Sequence, residues 1–401
     1  KVVHLECGKN MKSIYVDYAA TTPLDPRVLQ AMMPYLTTKY GNAESLNTYG
    51  MGAKRALEES RTTLSKFMNA ENQEIIFTGS ATEANNMVLK CHALQQGMNK
   101  VHIAISTIEH PCIHNPATWL KKNGSNITFI PVDSQGLLDL EYLEKVLKAG
   151  VTLVSVIHGN NEIGTIQDIE EIGRLCHEHN TYFHTDAAQT FGKIPIDVKK
   201  MNIDIMTMNA HKTYGPKGVG ALYLNNEVKM EPYLHGGEQE FGLRAGTHNV
   251  PGIVGFAKTV EIREKEMHEE AKKLTKLRDR LIKGALEIEE TYLNGHSTKR
   301  LANNVNVRFL YIEGESLVLN LDMEGIAVSS GSACSSRTEE ASRILLALGL
   351  DTIDVRGPLR ISLGKTNTEE DIDYILEVLP RAVKQLRRMS PLAPTKFRQE
   401  N

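Results

Sequence analysis

The feature that most constrains the fold is a regular alternation of short apolar segments with helical segments over residues 74–224. The seven apolar segments, which we predict to be strands, span 74–78, 101–106, 127–132, 151–157, 181–185, 203–208 and 219–224. The helices predicted between them span 79–96, 111–122, 139–148 and 168–179. Short apolar runs bounded by turn residues are typical of buried strands. Because helices separate most of them, the alternation predicts an α/β fold with a mostly parallel seven-stranded sheet covered on both faces.

The pattern changes after residue 251, where a long charged stretch over 252–290 predicts a connecting helix into a smaller α/β domain. The elements predicted there are strands at 304–308, 326–329 and 359–363 and helices at 314–323, 338–348 and 367–388. The elements predicted before the alternation are a strand at 14–16 and helices at 27–38 and 50–68. We predict a large domain over 15–260, a small domain made of 1–14 and 261–401, and a loose tail at 390–401.

Composition excludes several classes of function. The 401 residues include 46 basic and 49 acidic residues, and the formal net charge of -3 gives no general attraction to nucleic acid or to an anionic membrane. No apolar run approaches the roughly 18 residues that a membrane span needs. The five cysteines form no CxxC pair, and no secretory signal pattern opens the sequence. We therefore expect a cytoplasmic protein that works in a reducing compartment.

Polar residues follow the predicted strands at their carboxyl ends, where ligands bind in sheets of this kind. Thr82 opens a helix and can donate to an anion, His110, Asn161 and Asp186 end three further strands, and Lys212 lies in a glycine-rich turn. Each residue alone has an ordinary structural explanation, such as a helix cap or a surface lysine. Together they supply an anion site, a carboxylate for a ring nitrogen and an amine that forms a Schiff base. We therefore predict pyridoxal 5'-phosphate as the cofactor.

Cys334 differs from the other cysteines in its surroundings. It lies in the small, polar, glycine-containing stretch 329–336, which cannot form a core. Cys91 and Cys176 lie in helical patterns and are predicted to be small core residues, whereas Cys112 is left open. A reactive cysteine is accessible with a stabilised thiolate, so Cys334 is the candidate nucleophile, and an inert surface thiol is the alternative.

Eight stretches over residues 14–390 occur in the order in which a known family carries them. They are Asp17-Tyr-Ala-Ala-Thr-Thr-Pro-Leu-Asp-Pro26, Tyr40-Gly-Asn42, Thr82-Glu-Ala-Asn-Asn86, Asn160-Asn-Glu-Ile-Gly164, His184-Thr-Asp-Ala-Ala-Gln189, His211-Lys-Thr-Tyr-Gly-Pro-Lys-Gly218, Arg244-Ala-Gly-Thr247 and Ser329-Ser-Gly-Ser-Ala-Cys334. The sequence resembles the cysteine desulfurases of the aminotransferase class-V superfamily, in the IscS/NifS branch and most closely its archaeal members. The resemblance implies the type I fold of pyridoxal-phosphate-dependent transferases.

The resemblance also implies a role for each matching residue around the cofactor ring. Lys212 matches the Schiff-base lysine, and Asp186 matches the partner of the ring nitrogen. Gln189 matches the residue near the ring phenol oxygen, and His110 matches the histidine that stacks on the ring. Lys212, His110 and Cys334 are therefore the implied catalytic residues.

The phosphate group of the cofactor has its own implied set of ligands. Ala81, Thr82 and His211 match phosphate-binding positions, and Asn209 stands where most relatives have a serine. Since an asparagine amide can donate, we expect altered rather than lost phosphate binding at Asn209. Thr247 matches a phosphate ligand that the family supplies from the neighbouring subunit, which implies a homodimer.

Asn161 and Arg360 match the pair of residues that binds the substrate carboxylate in the family, with Arg356 as the alternative arginine. Asn161 also counts among the cofactor-binding residues. The implied reaction converts L-cysteine to L-alanine and leaves the sulfur as a persulfide on Cys334. The implied acceptor is a scaffold protein for iron–sulfur cluster assembly, with tRNA thiolation as another outlet. Cys334 is also a candidate transient ligand of an iron–sulfur cluster, and no resident metal is expected.

Two other readings stay open at the level of sequence. A selenocysteine lyase or a small-substrate aminotransferase would keep Lys212 and Asp186, but neither has to use a loop cysteine to accept sulfur. A sulfur-relay or scaffold protein would keep the fold without turnover, and the intact Lys212 argues against it. The dependence of activity on Cys334 separates these alternatives.

Overall fold

The computed structural model describes residues 13–331, 342–352 and 354–398. The strands in these ranges are β1 Ile14–Tyr15, β2 Ile75–Thr78, β3 His102–Ser106, β4 Asn126–Ile130, β5 Leu153–Ile157, β6 Tyr182–Asp186, β7 Ile205–Asn209, β8 Gly220–Leu224, β9 Thr291–Leu293, β10 Asn304–Phe309, β11 Ile326–Ala327 and β12 Pro358–Ser362. The helices are α1 Pro26–Thr37, α2 Thr48–Phe67, α3 Ala81–Gln96, α4 Pro111–Lys122, α5 Leu140–Lys148, α6 Ile169–Glu178, α7 Val250–Leu286, α8 Gly314–Met323, α9 Arg343–Ala347, α10 Glu369–Met389 and α11 Thr395–Arg398. Among these, no helix combines the length and the apolar character that a membrane span needs.

Seven strands form one sheet in the order β2-β8-β7-β6-β5-β3-β4. The pairs from β7 through β4 are parallel, whereas β8 runs antiparallel to both β7 and β2. The connection from β7 to β8 is too short for a crossover helix, so these two strands pair as neighbours in opposite directions. The predicted fold class, an α/β fold with a mostly parallel seven-stranded sheet, is confirmed.

The parallel strands place the predicted site residues at one edge of this sheet. Asp186 ends β6 and is in register with Ile157 at the end of β5 and with Thr207 in β7. The segment after β3 carries His110, and the turn after β7 carries Lys212. Because parallel strands share one direction, the segments that follow them meet at the same edge.

A second, antiparallel sheet in the order β12-β10-β9 lies in the carboxyl-terminal part of the chain, and β1 pairs in parallel with β11. Strand β9 was not predicted, because its three residues are too short for a periodic pattern. The prediction of a loose tail is wrong for Thr395–Arg398, which forms α11. The ring of Phe397 in that helix lies 5.8 Å from the Tyr311 ring and 4.8 Å from the guanidinium of Arg387.

The long helix α7 contacts two separate hydrophobic cores. Residues such as Phe256 and Val260 in its first part pack with the core of the large sheet. Leu277 and Leu281 in its second part pack with the core around β10 and β12. The change of core along α7 is compatible with the domain division at residues 260 and 261, which stays a prediction. The predicted helix 338–348 is described only over α9, since residues 332–341 lie outside the described ranges.

Candidate active site

Lys212 lies at the meeting point of two loops. Its Nζ donates hydrogen bonds to the backbone oxygen of Ala19 and, at 2.7 Å, to that of Ala20. Its backbone N–H donates to Oδ1 of Asn209 at 3.3 Å, which closes the turn after β7. The amine is thereby held between the amino-terminal loop and the edge of the large sheet.

Asp186 is a buried carboxylate that neutral donors hold in place. It is 2% exposed, and its Oδ2 accepts a hydrogen bond from the side-chain amide of Asn85 at 2.7 Å. Its Oδ1 accepts from the backbone N–H of Ala188 at 2.9 Å. The salt bridges of the described residues do not include Asp186. A buried carboxylate of this kind suits a protonated ring nitrogen, which would supply the missing positive charge.

Asn85 is a site residue that sequence reasoning did not single out. It lies on the buried side of α3, and its amide donates both to Asp186 and, at 3.0 Å, to the sulfur of Cys112. The available signal was an asparagine on the apolar face of a predicted helix, within the stretch 82–86. Buried amides are hydrogen-bonded, so such a position indicates a polar partner across the interface.

His110 caps helix α4 with its ring. The ring Nδ1 accepts the backbone N–H of Cys112 at 3.2 Å and lies 2.8 Å from the Cys112 sulfur. An Nδ1 that accepts from the backbone leaves the proton of the neutral ring on Nε2. Burial lowers the pKa of His110, which keeps the ring neutral near pH 7. A neutral, fixed imidazole can stack on an aromatic ring, as the sequence predicts.

Cys112 is buried under the same cluster. Burial first, and then the negative charge of Asp186, raise the pKa of the Cys112 thiol well above its ordinary value. The thiol is therefore a protonated packing group rather than a nucleophile. Cys91 and Cys176 are also buried free cysteines, which agrees with the core positions predicted for them.

The amino terminus of α3 is where the sequence predicts an anion site. Ser80 caps the helix through a 3.1 Å hydrogen bond from the N–H of Glu83, and Glu83 itself pairs with Arg244 at 2.7 Å. The first turn begins with the half-buried Ala81 and the exposed Thr82, and its N–H groups have no partner inside the helix. Such N–H groups and the positive end of the helix dipole favour an anion.

Glycine is required next to this helix start. A Cβ on Gly220 at the start of β8 would lie 2.9 Å from the Met208 oxygen and 2.9 Å from the Ser80 carbonyl carbon. Since real side chains do not approach so closely, only glycine lets β8 pass the helix terminus at this distance. The close approach fixes the anion site against the strand that leaves the Lys212 turn.

His211 and Asn209 border the same region as neutral polar groups. Burial first, and then the charges of Lys212, Lys217 and Lys193, lower the pKa of His211 to about 4. Its Nδ1 lies 3.2 Å from the hydroxyl of Thr21. Asn209 is buried and uses Oδ1 for the N–H of Lys212, so its amide NH₂ is the part that can donate to an anion.

Gln189 is buried in the turn after β6. Its Nε2 donates to the backbone oxygen of Ala19 at 2.9 Å, the same oxygen that accepts from Lys212. Its Oε1 accepts from Nζ of Lys193 at 3.4 Å. The structure therefore brings Gln189 and Lys212 together at Ala19, as expected for two residues that flank one ligand.

Arg360 and Asn161 meet across the boundary between the two sheets. Arg360 of β12 donates to the backbone oxygen of Asn161 at 3.1 Å and pairs with Asp17 at 2.8 Å. Within the described part of the chain, Nε of Arg360 and Oδ1 of Asn161 are buried without a hydrogen-bond partner. An unpartnered buried guanidinium N–H is costly, and a carboxylate would satisfy it. The alternative arginine, Arg356, is exposed.

Thr247 lies apart from the other predicted residues. It is exposed in the segment before α7, beside His248, whose Nε2 lies 2.9 Å from Glu240. Asn249 on its other side donates to the backbone oxygen of Gly218 at 3.2 Å. A role for Thr247 in a neighbouring subunit stays a prediction.

Cys334 lies outside the described residues, but the residues on either side are described. Ser329 exchanges backbone hydrogen bonds with Arg360, at 3.2 Å and 2.7 Å. Ser342 donates to a carboxylate oxygen of Glu162 at 2.8 Å, and Arg343 donates to the backbone oxygens of Thr107 and Glu109. The described flanks of residues 332–341 therefore contact Arg360 and the segments that carry Asn161 and His110.

The donor set fits pyridoxal 5'-phosphate. Asp186 suits a ring nitrogen, the start of α3 suits a phosphate, and the Lys212 amine suits an aldehyde. The unpartnered Nε of Arg360 suits the carboxylate of an amino acid next to that ring. Every part of the set lies at the edge of the large sheet or at its contact with the small one.

Three comparisons with known proteins agree with this set. Residues 14–375 match the family model described as aminotransferase class-V. The chain is 50% identical over 378 residues to cysteine desulfurase IscS 1 of Archaeoglobus fulgidus. This alignment covers 94% of this chain and 99% of the relative.

Solved structures show the same likeness. A NifS-like protein is 38% identical with a TM-score of 0.88. The match covers 94% of this chain and 100% of the NifS-like chain. A structure described as SspA in complex with cysteine is 33% identical with a TM-score of 0.78, and it covers 88% of this chain and 99% of its own. The likeness extends over nearly the whole length of each of these proteins.

Proposed function

This chain belongs to the aminotransferase class-V family, and we propose that it is a pyridoxal-phosphate-dependent cysteine desulfurase, which converts L-cysteine to L-alanine. The observation that carries the proposal is that Asp186, Lys212 and Arg360 lie around His110, where, after burial, their charges act on its pKa, and that Arg360 lies against Asn161. Apart from His110, these residues supply an amine, a ring-facing carboxylate and a carboxylate-binding pair. An amino-acid substrate of a pyridoxal-phosphate enzyme needs all three.

The ring of the cofactor would be held by three residues. Asp186 would face the ring nitrogen and keep it protonated, because a buried carboxylate without a cation favours a positive partner. The neutral imidazole of His110 would stack on the ring, and the Gln189 amide would donate to the ring oxygen. Asn85 supports this set by orienting Asp186.

The phosphate would be held by neutral donors and a helix terminus. Ala81 and Thr82 would offer the free N–H groups of the first turn of α3, and Thr82 would add its hydroxyl. The neutral ring of His211 and the amide of Asn209 would donate from the opposite side. Asn209 takes the place of the serine expected there and supplies an amide donor instead of a hydroxyl.

When bound, pyridoxal phosphate supplies an electron sink that weakens the bonds around the α-carbon of the substrate. Arg360 binds the substrate carboxylate through its unpartnered Nε, and the side-chain NH₂ of Asn161, not its Oδ1, would be the second donor. Lys212 takes the proton from the α-carbon, because its amine lies at the edge where the substrate would be held. Positioning by Arg360 turns this proton transfer into a step within one complex.

The sulfur step is assigned to Cys334. Its thiolate attacks the sulfur of the substrate, so that an S–S bond forms while the carbon–sulfur bond breaks. The electron pair of the broken bond stays with the carbon, which takes up a proton and becomes the methyl group of alanine. Lys212 returns a proton to the α-carbon, so that the thiol of Cys334 and L-cysteine together yield the Cys334 persulfide and L-alanine. The described flanks at Ser329 and Ser342 support this role because both contact the substrate side of the site.

The proposal includes a homodimer in which Thr247 reaches the partner's phosphate site. Its support is a group of exposed large apolar side chains in the amino-terminal part of the chain, namely Leu29, Met33, Leu36, Tyr40, Leu46, Tyr49 and Met51. Glu44 within this stretch lies 4.0 Å from His248, the neighbour of Thr247. Exposed apolar groups of this size mark protein interfaces. Mixed dimers of Lys212→Ala and Thr247→Ala chains should regain activity, because one of their two sites has both residues intact.

The sulfur acceptor and the cellular location also belong to the proposal. We expect a scaffold protein for iron–sulfur cluster assembly to take the persulfide sulfur through a cysteine of its own, by thiol exchange. The cysteine pattern of the chain supports a reducing, cytoplasmic setting. Transfer of labelled sulfur from L-cysteine to a purified scaffold would test the acceptor directly.

The test of the function is alanine release from L-cysteine by the cofactor-loaded protein, with and without Cys334→Ala. Cys176→Ala is the matched control, since Cys176 is a buried core thiol. Turnover that depends on Cys334 alone supports the desulfurase with its persulfide step. Turnover that survives Cys334→Ala would move the chemistry to a selenocysteine lyase or another enzyme of this fold. Bound cofactor without any turnover would favour a sulfur-relay protein.

A further inference from the structure

The amide of Gln189 is held from both ends. Its Nε2 donates to the backbone oxygen of Ala19 at 2.9 Å, and its Oε1 accepts from Nζ of Lys193 at 3.4 Å. A carbonyl oxygen only accepts, and Lys193 only donates in its charged form. A reversed amide would face the Ala19 oxygen with its own oxygen and would lose the hydrogen bond from charged Lys193. The two contacts therefore decide which end of the amide faces Ala19.

Lys193 is placed by a rigid turn. Gly192 before it has a positive φ of 70°, and its backbone oxygen accepts from Nε of Arg263 at 2.8 Å. A Cβ on Gly192 would lie 3.2 Å from the Arg263 side chain and 3.2 Å from that of Thr213. The backbone N–H of Lys193 donates to Thr190 at 2.9 Å. Helix α7 thus holds the turn through Arg263, and the lysine side chain starts from a fixed point.

Lys193 faces a cavity of about 150 Å³ that Lys212 also lines. The charged groups around it are Lys212 in the turn after β7, Arg263 and Glu270 on α7, and Arg300 in the segment before β10. Burial first, and then the charges of Lys212 and Arg263, lower the pKa of Lys193 to about 7, while Glu270 opposes them. Burying a lysine amine costs free energy unless the amine has a hydrogen-bond partner, so the position of Lys193 argues for a specific partner.

The partner of Lys193 is Gln189, which lies beside Lys212. The Ala19 oxygen that accepts from Gln189 also accepts from Lys212 Nζ. The NH₂ end of Gln189 therefore lies next to the amine that would carry the cofactor. A donor at this position stabilises an ionised ring oxygen, whereas a carbonyl oxygen there would oppose it.

We propose that Lys193 is a positioning residue that fixes the Gln189 amide with its NH₂ group toward Lys212 and toward the ring oxygen of bound pyridoxal phosphate. The inference rests on the proposed function, because that function assigns Gln189 to the cofactor ring. Lys193 acts through Gln189, to which its Nζ donates.

The test compares pyridoxal phosphate binding by the wild-type protein, by Lys193→Met and by the matched control Lys199→Met. Lys199 is an exposed lysine that pairs with Glu71 at 3.2 Å, so its loss should change nothing. For Lys193→Met we expect the cofactor dissociation constant to rise about tenfold. The pH midpoint of the absorbance of the bound cofactor should rise by about one unit, because the donor at the ring oxygen is no longer fixed. Lys193→Arg should restore both values.

A second arm separates orientation from simple loss of charge. In a Gln189→Ala background, Lys193→Met should produce no further shift of the midpoint, since Lys193 acts through that amide. An equal shift in both backgrounds would overturn the proposal, as would a Lys193→Met protein that matches Lys199→Met. Lys193→Gln keeps a donor of similar length and should hold most of the wild-type midpoint, which keeps the test decisive if Lys193→Met does not fold. A wild-type protein that takes up no pyridoxal phosphate would instead refute the proposed function.

Discussion

The two halves of the candidate site are built in different ways. The cofactor half, around Asp186, His110 and Gln189, comes from the carboxyl ends of β6 and β3, two parallel strands of one sheet with β5 between them. The substrate half, around Arg360 and Asn161, exists only where the small sheet meets the large one. Strand register within the large sheet sets the geometry of the cofactor half. The geometry of the substrate half depends instead on how the two sheets pack against each other. We therefore expect the cofactor half to tolerate changes in the substrate half.

Lys212 lies where the halves meet, and its loss should have the largest effect. In Lys212→Ala we expect turnover of L-cysteine to fall by about 10⁴-fold, because proton transfer at the α-carbon and the covalent hold on the cofactor are lost together. Alanine release measures this effect, and Lys200→Ala, at an exposed lysine, is the control. Turnover within tenfold of wild type would remove Lys212 from the chemistry.

Arg360→Lys should separate the two halves. Lysine can keep one ion pair with Asp17 but cannot reproduce the planar fork of N–H donors, so the substrate carboxylate loses its contact with Nε. We expect KM for L-cysteine to rise about 100-fold while the cofactor dissociation constant stays unchanged. Steady-state kinetics and equilibrium dialysis measure the two quantities. Arg356→Lys, at the exposed arginine, should change neither. A parallel loss of cofactor binding would contradict the separation of the halves.

Asn85→Ala should act on the cofactor half alone. Without the amide, one oxygen of the buried Asp186 loses its 2.7 Å hydrogen bond. We expect the cofactor dissociation constant to rise about tenfold with little change in KM for L-cysteine. Asn123→Ala is the matched control, since Asn123 is exposed at the end of α4 and donates to the backbone oxygen of Trp119. Equal effects of the two substitutions would mean that Asn85 does not support Asp186.

Of these substitutions we expect Glu109→Gln to have the smallest effect on turnover. Its main effect should be on how the unfolding free energy depends on pH. Burial raises its pKa to about 8, although Ser106 and the N–H of Ile157 donate to it. A raised folded-state pKa contributes stability that is present below the unfolded value of roughly 4.3 and is lost as pH rises through about 8.

Urea unfolding of the cofactor-free protein between pH 5 and pH 8 measures this loss. We expect the wild type to lose on the order of 2–4 kcal/mol of unfolding free energy over that range, and Glu109→Gln to lose much less. Glu144→Gln, at an exposed carboxylate, should follow the wild type. A Glu109→Gln protein with the wild-type slope would show that Glu109 is not protonated in the fold.

Much of the cofactor half could be predicted because its residues follow strands that the alternating pattern already marks. The rule that ligands bind at the carboxyl ends of parallel strands marked Asp186, His110 and Lys212 as candidates, and the resemblance to a known family implied their roles. Asn85 was missed because it lies 101 residues before its partner and looks, in sequence, like a polar position on a buried helix face. The pairing of Lys193 with Gln189 was missed for another reason, since it depends on the shape of a turn.

The amino-acid sequence by itself determined the alternation of elements, the parallel sheet and the types of chemical group at its edge. Those follow from local periodicity and from turn chemistry, which act over a few residues. Only the tertiary structure decided that Arg360 pairs with Asp17, 343 residues away, and lies against Asn161 with its Nε unpartnered. Burial of that guanidinium and the contact between two sheets are properties of packing, and no local pattern encodes a distance between residues so far apart in the chain.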